Sequence, residues 1–171
     1  MFRRVELPAA VPGRLFLHGM PGLREPWAVF ADQVAVQGIG TIVCLTPPAE
    51  IERASPAYAR ARVDGSVPAR VEDFPIGNLS APEPERREAF ARLVVEIADR
   101  LRGGERVLVH CGAGIGRTGT FAVCVLQALG VDPDDAARCV EAVGSHPETP
   151  AQAALVRWCA RRLAPPEATS D

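Results

Sequence analysis

The chain has 171 residues, 47% of them hydrophobic and 23% charged, enough for one compact domain with an ordinary core and too little for two. Its formal net charge of −2 excludes a general attraction for nucleic acid or an anionic membrane surface, so any anion it binds must be drawn in by a local site. All 19 basic residues counted as Lys plus Arg are arginines, which rules out a Schiff-base lysine and a Walker phosphate loop.

In chain order, residues 14–17 read as a short apolar strand. Residues 26–37 read as a helix, with Pro26 in its first turn and Gly38 at its end. Residues 40–45, with Ile42 and Val43, read as a buried strand closed by Thr46-Pro47-Pro48. Residues 50–62 read as a helix broken by Pro56, and 71–76 as a weaker extended segment. The clearest helix covers 84–101. Phe90, Leu93, Val94, Ile97 and Leu101 recur there at helical spacing, Arg and Glu fill the other face, and Gly103-Gly104 stops it. Residues 106–110, Val-Leu-Val at their centre, read as a strand buried on both faces in a parallel sheet. A glycine-rich turn leads to a buried helix at 118–129, and two more helices follow at 132–143 and 150–163. A single domain is expected over 1–164, with a frayed tail at 165–171.

Strands alternating with helices predict an α/β domain. Its central, mostly parallel sheet has four or five strands, with helices on both faces. Ligands of such folds sit beyond the carboxyl ends of the strands, so the turn after His110 is the first place to look. That turn reads His110-Cys111-Gly112-Ala113-Gly114-Ile115-Gly116-Arg117-Thr118. Three glycines let the backbone curl so that successive N–H groups face inward. Such a nest, closed by a helix start, cradles a tetrahedral anion such as phosphate. Across the curl, Arg117 can face the Cys111 thiol and grip two phosphate oxygens with its planar guanidinium. Cations and a helix start favour the thiolate, the form of cysteine that attacks.

His-Cys, five residues, then Arg-Thr is similar to the signature loop of the protein tyrosine phosphatase superfamily, and the stretch 110–118 resembles its fuller form, His-Cys-x-Ala-Gly-x-Gly-Arg-Ser/Thr. The resemblance is to the compact dual-specificity phosphatases and to kinase-associated phosphatase-like bacterial members. It implies hydrolysis of phosphomonoesters, with Cys111 carrying a phosphocysteine intermediate and Arg117 stabilising the phosphoryl group in transfer. It further implies that Thr118 steadies the leaving thiolate and that His110 helps to set the acidity of the thiol. Gly112, Ala113, Gly114, Ile115 and Gly116 would bind phosphate together with Arg117. The partner implied is a phosphorylated substrate, a protein above all, with no metal or organic cofactor. Residues 13–19 resemble the family's entry strand, and 42–46, with Glu50 beyond, the strand and loop that flank its pocket. Pro147-Glu148-Thr149-Pro150-Ala151-Gln152 resembles a late family element whose glutamine helps position the attacking water, so Gln152 is a candidate for that role beside an ordinary helix-start role.

One part of the pattern is broken. Related compact enzymes carry Pro-Ile-x-Asp with a proline four residues on, the Asp protonating the departing oxygen. Here the match is Pro75-Ile76-Gly77-Asn78 with Pro82, and an amide cannot give up that proton. Three readings stay open. Another carboxyl acts as the acid, with Asp73, Glu72 and Glu83 nearest. Or no acid is used and good leaving groups, aryl phosphates or phosphoanhydrides, are preferred. Or the domain is a phosphate-binding pseudophosphatase that turns over poorly.

Cys44, Cys111, Cys124, Cys139 and Cys159 are odd in number, and with His18, His110 and His146 they show no metal-ligand spacing. Cys124 and Cys139 read as small core residues. Cys44 can be either a core residue or a redox partner of Cys111. No leader or membrane-spanning run is seen near the N-terminus, so a cytoplasmic, reducing location with free thiols is expected.

Overall fold

The computed structural model describes residues 1–163; the tail expected at 165–171 lies outside the described residues. Five strands form one sheet: β1 (Arg3–Val5), β2 (Arg14–His18), β3 (Thr41–Cys44), β4 (Arg70–Asp73) and β5 (Arg106–His110), in the order β1-β2-β5-β3-β4. β5 lies between β2 and β3 and is parallel to both, β4 is parallel to β3, and β1 alone runs antiparallel, on β2. The register aligns His18, His110 and Cys44 at the carboxyl ends of the three inner strands.

Both faces of these strands are covered, which is why 106–110 reads as an unbroken apolar run rather than an alternation. On one face Leu15, Leu17, Val43, Val107 and Val109 pack under α4 (Arg87–Arg102), α5 (Gly116–Ala128), α6 (Pro133–Glu141) and α7 (Pro150–Leu163). On the other, Phe16, Ile42 and Leu108 pack on Phe30 and Val34 of α1 (Trp27–Gln37). Further along that face Met20 and Cys44 meet Ile51 of α2 (Pro48–Ala54) and Tyr58 of α3 (Pro56–Asp64). Residues 116–127 of α5 are all buried, so an apolar helix lies at the centre of the helical layer and carries Arg117 in its first turn.

Local chemistry sets the element ends. Pro56 breaks the 48–64 segment and opens α3, and the Ser55 side chain accepts a hydrogen bond from the Tyr58 N–H at 3.4 Å as its cap. Residues 84–86 form a single 3-10 turn before α4 begins. The segment after β4 keeps hydrogen bonds to the β3 side, from Phe74 N–H to Cys44 O and from Ile76 N–H to Leu45 O. Phe74, Phe90 and Phe121 form an edge-to-face series with neighbouring centroids 5.5 Å apart, tying the start of the 75–82 loop to α4 and α5. Truncating Phe90 to Ala in that series would cost about 3–5 kcal/mol. β1, three residues long, is too short to leave a pattern in the sequence. No helix among the described residues is long and apolar enough to cross a membrane.

Candidate active site

β5 ends at His110 and α5 starts at Gly116, so residues 111–115 curl between the central strand and the central helix. Gly114 has φ +77°, and a side chain there would also meet His18 O at 2.5 Å; only glycine fits both demands. The curl turns the Gly114 N–H onto Cys111 Sγ at 3.2 Å. The thiol itself is buried, between the end of the central strand and the start of α5.

Arg117 is 4% exposed. Its Nη1 donates to Glu50 Oε2 and to Ile76 O, both at 2.9 Å, and its Nη2 to Glu50 Oε1 at 2.8 Å and Asn78 Oδ1 at 3.4 Å. Burial works against the charge on Arg117, but the Glu50 hydrogen bonds and the charge of that carboxylate outweigh it and hold the guanidinium above its usual pKa. Glu50, in the first turn of α2, thus fixes the fork that faces the sulfur. Thr118 Oγ1 is buried without a hydrogen-bond partner among the described residues, a donor one residue beyond the arginine.

His110 is fully buried and its pKa is pushed down to about 3, first by desolvation. Its Nδ1 lies 3.4 Å from Cys111 O, and its Nε2 lies 3.0 Å from the Tyr58 hydroxyl. A carbonyl only accepts, so the network assigns the proton to Nδ1 and makes Tyr58 the donor to Nε2. His110 is therefore a neutral strut under the loop, and not a cation beside the thiol.

The remaining candidates separate. Asn78 stands at the guanidinium of Arg117. Asp73 is paired with Arg62 at 2.5 Å, and Glu72 with Arg100 at 2.9 Å. Gln152 is 1% exposed; its Oε1 accepts from Glu148 N–H at 2.8 Å and its Nε2 donates to Ser80 O at 3.1 Å. Cys44 shares the sheet face of Tyr58 and Met20, while Cys111 packs on the opposite face. Burial raises the Cys44 thiol to about 11, and it receives a hydrogen bond from Arg62 at 3.5 Å.

Sequence reasoning missed the groups that brace the loop from behind. Arg3, on β1, donates through Nη2 to Gly114 O and through Nη1 to Val143 O, Gly144 O and Ser145 Oγ. The Ser145 hydroxyl also donates to Gly114 O at 2.7 Å. No local motif marks either residue, because the strand order brings them there. A hollow of about 350 Å³ beside the loop is lined by Arg3, His18, Arg24, Glu25, Ala113 and Ile115. A larger one, about 560 Å³ between α4 and α7, lies away from the loop among charged surface residues. Among the described residues no group of three or more His, Cys, Asp or Glu side chains is gathered closely enough to hold a metal ion.

The family model described as "Swiss Army Knife protein, DSP-PTPase phosphatase domain" matches residues 9–170. A protein of Cupriavidus necator, provisionally named a tyrosine-protein phosphatase, is 28% identical over 143 residues. The match takes in 72% of this chain and 50% of that protein, so the chain spans about half the length of this relative. A crystal structure of a kinase-associated phosphatase, its catalytic cysteine replaced by serine, superimposes with a TM-score of 0.80 over 95% of each chain at 16% identity, a likeness of fold. Tk-PTP in its active form gives a TM-score of 0.70 at 25% identity, over 94% of this chain and 97% of that one. With the family model matched over almost the whole chain and a cysteine–arginine loop at the end of the central strand, the chain belongs to the protein tyrosine phosphatase superfamily, as a compact dual-specificity phosphatase-like domain.

Proposed function

We propose that the domain hydrolyses phosphomonoesters in two steps through Cys111. In the first, the Cys111 sulfur attacks phosphorus in line, the P–S bond forms and the P–O bond to the leaving group breaks. The loop amides and Arg117 hold the charge on the three spectator oxygens. In the second, water displaces the sulfur and inorganic phosphate leaves. The observation that carries this reading is the Arg117 fork, locked by both oxygens of Glu50 next to a thiol that already receives a loop N–H. It is an arrangement preorganised for an oxyanion.

The name of the Cupriavidus necator relative favours phosphotyrosine in a protein as substrate. Asn78 at the guanidinium favours substrates whose leaving oxygen is stable without a proton, such as aryl phosphates. The same residue supports the second reading, a phosphate-binding pseudophosphatase. Hydrolysis of an aryl phosphate by wild type and Cys111→Ser, with titration of both by tungstate, separates them. Activity lost in the variant with tungstate still bound is the expected result. A wild type that binds tungstate but turns over no phosphoester supports the pseudophosphatase, and an active Cys111→Ser removes the cysteine as nucleophile.

A further inference from the structure

The edge strand β1 sends one side chain to the loop, and the alternation of a strand accounts for it. Residues two apart in a strand share a face, so Arg3 lies on the face of Val5, which packs in the core under α4 to α7. At the corner where loop 111–115 meets the turn after α6, the two ends of the Arg3 guanidinium divide. Nη2 donates to Gly114 O, while Nη1 donates to Val143 O at 2.8 Å, Gly144 O at 3.0 Å and Ser145 Oγ at 2.9 Å. The buried Ser145 passes its hydroxyl proton to the same Gly114 O at 2.7 Å. One carbonyl of the glycine turn thus takes two hydrogen bonds from outside the loop, and the one from Arg3 is charge-assisted. A side chain on Gly114 would meet Arg3 Nη2 at 2.8 Å, so the glycine admits the arginine as well as the curl.

We propose that Arg3 is a positioning residue for the bound oxyanion: with Ser145 it holds the Gly114 carbonyl outward and so turns the Ile115 N–H toward the phosphate. The proposal rests on the phosphate-binding reading above. The peptide joining Gly114 to Ile115 is trans, and in a trans peptide the C=O and the N–H point to opposite sides. Donors that fix Gly114 O therefore also fix the direction of the Ile115 N–H, away from the 143–145 turn. Among the described residues that N–H has no protein acceptor, which leaves it for an anion. Hydrogen bonds received by the carbonyl also polarise the peptide and strengthen its N–H as a donor. The loop alone cannot set this orientation. Gly114, at φ +77°, has no side chain to resist rotation of the peptide plane. Turned over, the plane would present a carbonyl oxygen to the anion and repel it. The donor that prevents this comes from a three-residue strand, 111 residues away in sequence.

The test compares the full chain as wild type, Arg3→Met, Arg3→Lys and Ser145→Ala. Each is followed by tungstate titration, by kcat and KM on an aryl phosphate, and by the amide NMR signal of Ile115. In the wild type the Ile115 amide proton should move downfield as tungstate binds. Arg3→Met is expected to weaken tungstate about 10-fold and to lower kcat/KM about 30-fold, less than deleting an oxyanion donor outright, with a smaller Ile115 shift. Arg3→Lys keeps the charge, but a single ammonium cannot serve Gly114 O and the 143–145 turn as a planar fork does, so it should resemble Arg3→Met. Ser145→Ala removes one of the two donors to Gly114 O and should cost about threefold in tungstate affinity. Variants that unfold at lower urea but keep wild-type tungstate affinity and the full Ile115 shift make Arg3 a structural tie and overturn the proposal. So does a fully active Arg3→Lys beside an impaired Arg3→Met, which would make Arg3 a source of charge alone. If Arg3→Met does not fold, wild-type affinity and Ile115 shift in both Arg3→Lys and Ser145→Ala overturn it equally. Failure of the underlying reading looks different: the wild type itself would bind no tungstate, and no loop amide would respond.

Discussion

Beneath the proposed phosphate site, the loop is held by closed sets of bonds. Glu50 and Ile76 O fix Arg117, Arg3 and Ser145 fix Gly114 O, and Tyr58 and His110 support the chain at Cys111. On the rim, Asn78 makes one long contact to Arg117 and Glu148 forms no ion pair among the described residues. The floor is built from backbone amides and locked charges, so it can hold a phosphate with little rearrangement. The rim consists of single side chains from two distant segments, 75–82 and 147–152. Under the proposed function, the floor would hold the phosphate and proton transfer would fall to the rim, two separable tasks.

The largest test of that separation lies in the floor. Arg117→Lys keeps the charge but loses the planar fork. It is expected to lower kcat/KM on an aryl phosphate by about 10²–10³-fold, the scale of removing a preorganised oxyanion donor, and to be nearly as damaging as Arg117→Ala. Steady-state kinetics with tungstate calorimetry checks it; a lysine variant with wild-type rate and affinity would mean that charge alone suffices. On the rim, Asn78→Asp restores a proton donor beside the fork. It should raise turnover of alkyl phosphates by about 100-fold, within the range of general acid catalysis, with little change on aryl phosphates that have acidic leaving groups. A plot of rate against leaving-group pKa shows this as a shallower slope. If Asp73→Asn instead produces the hundredfold loss, the acid is Asp73, despite its pairing with Arg62.

The smallest expected effect concerns the neutral strut. Burial depresses His110 from 6.5 to about 3 in the folded state, so the unfolded chain takes up the proton first on acidification. The stabilising contribution is complete above pH 6.5 and is lost as the pH falls toward 3, at up to about 1.4 kcal/mol per pH unit. Urea unfolding across that window should show the slope in wild type and a smaller slope in His110→Asn. Equal slopes would mean that His110 titrates alike in both states.

The floor is legible in sequence because it is local: strand, nest, arginine and helix start all lie within 106–118, and the glycines announce the curl. The break at Pro56 and the apolar run of β5 are legible for the same reason. Arg3 and Ser145 are not, since only the antiparallel addition of β1 to β2 brings residue 3 to the Gly114 carbonyl. Tyr58 reaches His110 through the packing of α3 on the sheet. Gln152 is visible as a residue of interest, but its two hydrogen bonds depend on how the turn before α7 meets the 78–80 segment. Asn78 is found by its place after Pro75-Ile76, while its contact with Arg117 is a product of tertiary structure.

The most direct measurement is acid quenching of the wild type within a single turnover of an aryl phosphate, followed by mass spectrometric mapping of the phosphoryl group. The expected result is a phosphoryl group on Cys111 that appears and decays at the catalytic rate, and that is absent from Cys111→Ser. Phosphate release with no phosphorylated enzyme at any time, or a phosphoryl group on another residue, would contradict a cysteine nucleophile in this site.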